Sequence, residues 1–207
     1  MELNEQQLQR RESLKSLRKM GIEPYPAEVF EVNANAADIL KNYENNKLDY
    51  KAVSIAGRLM RKRIMGKASF AEIQDSTGRI QIYVSRDEIC GGEDTAMYNE
   101  FFKKLLDIGD IIGIKGYVFT TQVGEISIHV TSIKMLTKTL NPLPLPKEVD
   151  GKVYDAFTDP EQRYRMRYVD MIVNPQVKET FVKRTKAINS MREFLNDKGY
   201  LEVETPI

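Results

Sequence analysis

The sequence predicts a mainly β protein with flanking helices, built on a five-stranded OB-fold barrel and followed by the truncated start of an α/β domain. Three observations carry this. The hydrophobic period turns from helical to alternating near Lys51 and back to helical after Pro175. Between those points the order is three strands, a helix and two strands, the order of an OB barrel with its helix between strands three and four. A proline-spaced stretch, TLNPLPLPKEVDGK, then separates two parts. An α+β sandwich would use the same elements, because pattern fixes elements better than topology.

Each element has its own signal. Residues 5–20 read as a helix with a thin apolar stripe of Leu8, Leu14, Leu17 and Met20. Gly21 ends it, and Pro24 and Pro26 enforce extended chain. The polar, Asn-rich residues 27–50 hold one short helix near Ala36–Asn42. Val53, Ile55, Gly57 and Leu59 alternate with Ser54, Ala56, Arg58 and Met60 in a first strand. Residues 68–75 and 79–85 flank Asp75-Ser76-Thr77-Gly78, a hairpin signal. The segment MYNEFFKKLLDIG reads as a helix with Phe101, Leu105 and Ile108 on one face and Gly109 at its end. The acidic insert before it, DEICGGEDTAMYNE, reads as a loop. Residues 111–119 and 125–135 flank Gln122-Val123-Gly124 as a second strand pair. Pro142, Pro144 and Pro146 favour a stiff, extended spacer. Asn174-Pro175 has the form of an N-cap with proline at the first helical position. Val177, Phe181, Thr185, Ile188, Met191 and Leu195 then recur at helical spacing, Gly199 follows, and YLEVE reads as a short strand. The expected division is an N-terminal helical extension (1–50), the barrel (51–137), a linker (138–152) and the start of a second domain (153–207). A strand so close to the C-terminus has little to pair with, so the chain is expected to be a piece of a longer protein.

Composition bounds the function. Apolar residues make up 42% and charged residues 29% of the 207, enough to bury a core and stay soluble. No run of about 18 apolar residues occurs, so no membrane span is expected. The N-terminus lacks the apolar centre of a secretory signal. Cys90 is the only cysteine, which excludes an internal disulfide and a cysteine-based zinc site. A cytoplasmic location is expected. The net charge of +1 does not itself point to nucleic acid, but residues 57–67 hold Arg58, Arg61, Lys62, Arg63 and Lys67 with no acid. That run suits phosphate, although a solvated charged edge has the same composition. IMGKAS lacks the glycine that a phosphate loop needs, its place being taken by Arg61. His129, the only histidine, lies in a strand and reads as structural. No catalytic residues and no metal site are expected.

The strand faces give the sharpest functional signal. In the third strand Ile80, Ile82 and Val84 share the buried face, so Gln81 and Tyr83 point outward. In the second, Ala71 and Ile73 make the inner pair, leaving Phe70, Glu72 and Gln74 outside. In the fifth, Ile126, Ile128 and Val130 face in, while Glu125, Ser127 and His129 face out. A one-residue bulge would reverse any of these assignments. An outward aromatic, an outward amide and nearby Arg63 suit single-stranded nucleic acid: a ring stacks on a base, an amide meets its Watson–Crick edge and arginine meets phosphate. The strand 2–3 surface is also where OB folds bind oligonucleotides. A free-standing OB module binding single strands without preference is one alternative. A protein-interaction fragment with a partner over this face is another.

Several blocks carry a resemblance: RRESLKSLRKMGIEPYP, AGRLMRKRIMGKASFAEIQDSTGRIQIYV, KGYVFTTQVGEISIH, LTKTLNPLPLP and EQRYRMRYVDMIVNP. Over essentially its whole length the chain resembles the N-terminal part of a class II lysyl-tRNA synthetase, and KGYLEVETPI resembles the first class II motif. Aspartyl- and asparaginyl-tRNA synthetases share the architecture. The resemblance implies that the barrel grips a U-rich anticodon loop of lysine tRNA, with Phe70 stacking, Gln81 reading the central uridine, Arg63 beside it and Glu125 as a further contact. Arg58 joins the nucleic-acid-binding set through the basic run. Arg10, Arg11, Lys15 and Arg18 of the first helix are further candidates. Gly199 and Pro206 fall in the motif that builds the family's homodimer interface. The whole enzyme would use ATP and Mg2+ to activate lysine and transfer it to tRNA. The motifs for that chemistry are expected beyond Ile207, so the 207 residues alone are expected to be inactive and cofactor-free.

Overall fold

Five strands close into a barrel in the order β1-β2-β3-β5-β4: β1 (Val53–Met65), β2 (Ala68–Gln74), β3 (Arg79–Ser85), β4 (Ile111–Thr120) and β5 (Ile126–Thr137). Only the β3–β5 pairing is parallel within this barrel. The predicted OB topology is the observed one. The structure, a computed structural model, describes residues 3–92, 94–149, 152–154 and 157–206. These form two units divided between Pro142 and Leu143.

The alternation in the sequence becomes the barrel interior. Ile55, Leu59, Ile73, Ile80, Ile82, Ile112, Ile114 and Ile128 are all buried. Fully burying one such side chain contributes roughly 1.5–3 kcal/mol. Two glycines permit close approaches. A Cβ at Gly116 would lie 1.9 Å from the carbonyl oxygen of His129, and one at Gly113 would lie 2.6 Å from the ring of Phe30. The β2–β3 hairpin turns at Asp75–Gly78 as predicted, with Asp75 N–H donating to Gly78 O at 3.0 Å.

Helices plug and flank the barrel. Between β3 and β4 the structure has a short helix α3 (Arg86–Cys90), ended by left-handed Gly91 (φ 57°), and then a π-helix (Met97–Leu105). The expected loop is corrected: residues 86–90 are helical and the MYNE segment opens the π-helix, while Glu93 lies outside the described residues. The π-helix buries Tyr98, Phe101 and Phe102, and Tyr98 hydroxyl bonds Ser69 Oγ at 2.7 Å.

The N-terminal segment packs into the same unit. α1 (Glu5–Lys19) begins at Asn4, whose side chain accepts from Gln7 N–H in a capping box. Its Leu17 joins the barrel's buried cluster. Its Arg10 is buried and donates to Ile108 O at 2.9 Å and Thr139 O at 3.1 Å, so this arginine is a structural tie and not a surface contact. α2 (Ala36–Asn42) follows Asn35, and Asp75 of the hairpin accepts from Ala36 N–H at 2.7 Å. Lys138, expected in the linker, is buried in this unit.

The second unit holds a two-stranded ribbon, β6 (Lys147–Val149) with β7 (Lys152–Tyr154), which begins inside the stretch expected to be a plain spacer and ends two residues beyond it. Asp150 and Gly151 lie outside the described residues. Then come α4 (Pro160–Arg165), α5 (Arg167–Val173) and α6 (Pro175–Asp197). Asn174 does not cap α6 with its side chain; its amide donates to Phe157 O and Asp170 Oδ1. Buried Asp170 also accepts from Arg163 and Arg167. The expected YLEVE strand is not formed: residues 200–206 carry no regular secondary structure, because no described strand pairs with them.

Candidate nucleic-acid interface

A β-bulge at Met60 builds the outer face. Leu59 pairs with Ile73 and Arg61 with Glu72, leaving Met60 as the extra residue on β1. Before it, Val53, Ile55, Gly57 and Leu59 point inward. An unbroken alternation would send Arg61 and Arg63 inward too. The extra residue shifts the parity, so Arg61 and Arg63 are exposed and Lys62 turns toward the π-helix. There its ammonium donates to Phe102 O (3.1 Å), Lys103 O (3.2 Å) and Leu106 O (2.6 Å). A cation on these orphan carbonyls is the favourable helix C-terminal arrangement. Burial lowers the Lys62 pKa, against the opposing attraction of Asp107 and Asp110.

Two cross-strand rows result. One runs Arg63, Phe70, Tyr83, His129, Tyr117 over β1-β2-β3-β5-β4. The other runs Arg61, Glu72, Gln81, Ser127, Phe119 over the same strands. Phe70 is half-buried, its ring 5.2 Å from that of Tyr83 and tilted by 55°. His129 lies 4.9 Å from Tyr83 and stacks on Tyr117 at 4.8 Å with 6° between planes. Phe119 closes the cluster edge-on to Tyr83 at 6.0 Å. Gln81 sits diagonally from Phe70, a separation of about 7–8 Å on a sheet, within reach of long side chains. Its Nε2 donates to Ser127 Oγ at 2.8 Å.

Phe70, Gln81 and Arg63 are therefore gathered on one face. Glu125 is exposed at the β4–β5 turn, its N–H held by Thr121 Oγ1 at 3.0 Å. It stands next to this face through Ser127, whose hydroxyl lies 3.4 Å from Glu125 O. Arg58 is not gathered with them. Its Nη1 donates to Gly109 O at 2.7 Å, and burial lowers its pKa while Asp110 opposes that shift. Of the five cations in the basic run, Arg58 and Lys62 thus serve the fold, while Arg61, Arg63 and Lys67 are exposed. Gly199, with φ 81°, follows α6, and Pro206 is exposed; both belong to the second unit. Tyr117 and Phe119 also line this face and are not among the residues expected from the sequence. Their parity on β4 carries the signal, opposite to that of buried Ile112, Ile114 and Val118.

Comparison with known proteins agrees with this geometry. The family model of the OB-fold nucleic acid binding domain matches residues 53–136, and that of class II tRNA synthetases (D, K and N) matches residues 159–207. The chain is 57% identical over 208 residues to a lysine–tRNA ligase of Porphyromonas gingivalis, covering 100% of the chain and 36% of that protein. It is 58% identical over 207 residues to the lysine–tRNA ligase of Christiangramia forsetii, again covering 36% of that protein. With the lysine–tRNA ligase of Azobacteroides pseudotrichonymphae it shares 53% identity over 205 residues, 41% of that protein. The chain thus spans 36–41% of the length of these relatives. By these matches and by its barrel, the chain belongs to the class II lysyl-tRNA synthetase family, of which it carries the anticodon-binding OB domain and the start of the class II synthetase domain.

Proposed function

We propose that this chain reads the anticodon of a lysine tRNA as part of a longer lysine–tRNA ligase. The carrying observation is the outer-face arrangement of half-buried Phe70, Arg63 opposite it and Gln81 on the diagonal. A base stacked on Phe70 can offer its Watson–Crick edge to Gln81 while a flanking phosphate meets Arg63. Glu125 adds an exposed acceptor at the rim. The names of the relatives support lysine tRNA, with its U-rich anticodon, as the partner.

Lysine activation with ATP and Mg2+, and transfer to the tRNA 3′ end, belong in this reading to the whole ligase. Among the described residues no group of three or more His, Cys, Asp and Glu is placed to hold a metal ion, and no residue of this chain is assigned a chemical step. A homodimer is part of the same proposal. Gly199 and Pro206 lie where the family's interface motif falls, beside exposed Met191, Phe194, Leu195, Tyr200, Leu201 and Val203. A cytoplasmic setting fits protein synthesis, and no described helix is long and apolar enough to cross a membrane.

The test is a titration of the chain with a U-rich anticodon stem–loop and with the same loop carrying C in place of U. Tighter binding of the U-rich loop is expected. Equal affinities would instead indicate an OB module indifferent to sequence. Absence of binding to either would remove the reading.

A further inference from the structure

We infer that Ser127 is a positioning residue that sets uridine-over-cytidine selectivity by fixing which end of the Gln81 amide faces the base. The inference rests on the anticodon reading above and goes beyond it. A glutamine amide carries an acceptor oxygen and a donor nitrogen, and a free amide can present either by rotating about its last bond. Gln81 is not free: its amide is bonded at 2.8 Å to Ser127 Oγ, and Ser127 has no exposed surface.

The 2.8 Å bond gives the orientation: Gln81 Nε2 donates and Ser127 Oγ accepts. The Glu125 carbonyl oxygen, 3.4 Å from the same Oγ, is an acceptor towards which the serine proton can turn, so the hydroxyl is free to accept from the amide. With the amide nitrogen turned to Ser127, Oε1 is left for the ligand. Orientation of an amide follows from such a network.

Pyrimidines differ at this point. The N3 position of uracil is an N–H donor, whereas that of cytosine is an acceptor. With the base held on Phe70, an anchored Oε1 accepts from uracil N3–H and meets cytosine N3 lone pair to lone pair. Without the anchor, the amide can rotate and offer its nitrogen to cytosine. Ser127 therefore acts on selectivity more than on affinity.

The test uses the full chain with anticodon stem–loops carrying U or C at the central position. Wild type is expected to prefer U by about 10-fold. Ser127→Ala should reduce that ratio to about 3-fold or less, mainly by tighter binding of the C loop, with thermal unfolding reporting an intact fold. Ser127→Cys, nearly isosteric but a weak acceptor, should move the ratio the same way. On a Gln81→Ala background, Ser127→Ala should change the ratio no further, because it acts through Gln81. An unchanged ratio in folded Ser127→Ala, or an equal further loss on the Gln81→Ala background, would overturn the inference while leaving the anticodon reading standing. A wild type that binds both loops equally would overturn both.

Discussion

Phe70 on β2 and Arg63 on β1 are direct cross-strand partners, placed together on the outer face only because Met60 is bulged out of register. Directly opposed residues have Cβ atoms about 4.5–5.5 Å apart, so ring and guanidinium serve one nucleotide. Phe70→Ala is expected to weaken binding of a U-rich anticodon stem–loop by about 1–3 kcal/mol, the worth of one base stack. Loss of the Tyr83 contact should lower stability by about 0.5–1.5 kcal/mol, leaving the chain folded. Fluorescence anisotropy and thermal melts measure the two effects separately. Unchanged RNA affinity in the folded variant would count against the stacking role.

The basic run divides into two kinds of cation, and the two should respond differently to substitution. Arg63 is exposed, so Arg63→Ala should flatten the log–log dependence of affinity on salt by about 0.7, the value for one single-strand phosphate. Lys62 holds three carbonyls at the end of the π-helix. Lys62→Met should leave the salt slope alone and lower stability by about 1.5–3 kcal/mol, the range for hydrogen bonds to a charged group. Urea unfolding and binding titrations at several salt concentrations distinguish the variants. Equal salt slopes for wild type and Arg63→Ala would contradict the assignment.

This division also marks what the sequence reveals and what it hides. Alternation exposes Phe70 and Gln81, because Ala71, Ile73, Ile80 and Ile82 can only face a core. Asn35, four residues before buried Ile39, marks α2 for the same local reason: its side chain accepts from Asp38 N–H. The Met60 bulge leaves no such mark. Leu59 and Met60 are both apolar and both buried, so either could occupy the inward position. The aromatic row from Phe70 to Tyr117 is hidden differently. Its members lie on strands that become neighbours only when β3 pairs with β5 and β5 with β4. YLEVE fails in the opposite sense: it alternates correctly, but a strand is defined by its partner, and none pairs with it among the described residues.

Lys138 and Asp110 form a buried pair at 2.8 Å, with neither side chain exposed. Asp107 lies 2.5 Å from the same ammonium, and Thr139 N–H donates to Asp110 Oδ1. Burial raises the Asp110 pKa, and the Lys138 charge opposes that shift. Lys138→Met removes the opposing charge and strands Asp110, at an expected cost of about 3–5 kcal/mol. Replacing both, as Lys138→Met with Asp110→Leu, should restore part of that stability, since a well-packed apolar pair can substitute for a buried ion pair. Chemical denaturation of the single and double variants measures this. A single variant as stable as wild type would show that the pair contributes nothing.

Asp75 links the hairpin to α2 and gives the fold an acid-sensitive joint. Its Oδ1 accepts from Thr77 N–H, Thr77 hydroxyl and Gly78 N–H, and its Oδ2 from Ala36 N–H at the start of α2. Burial acts to raise its pKa, but the bonds from Ala36, Thr77 and Gly78 outweigh it, so the folded carboxyl lies below its usual value. A lowered folded pKa means that the unfolded chain takes up its proton first as pH falls. The stabilisation is therefore complete above the unfolded value of about 4 and is lost as pH drops below it toward the folded pKa. Asp75→Asn puts an amide nitrogen against one of these donors, and should cost about 1–2 kcal/mol at neutral pH. Its stability should also vary less with pH below about 4 than that of wild type. Thermal melts of both proteins across that range measure the difference, and parallel pH profiles would show that Asp75 is not the titrating group.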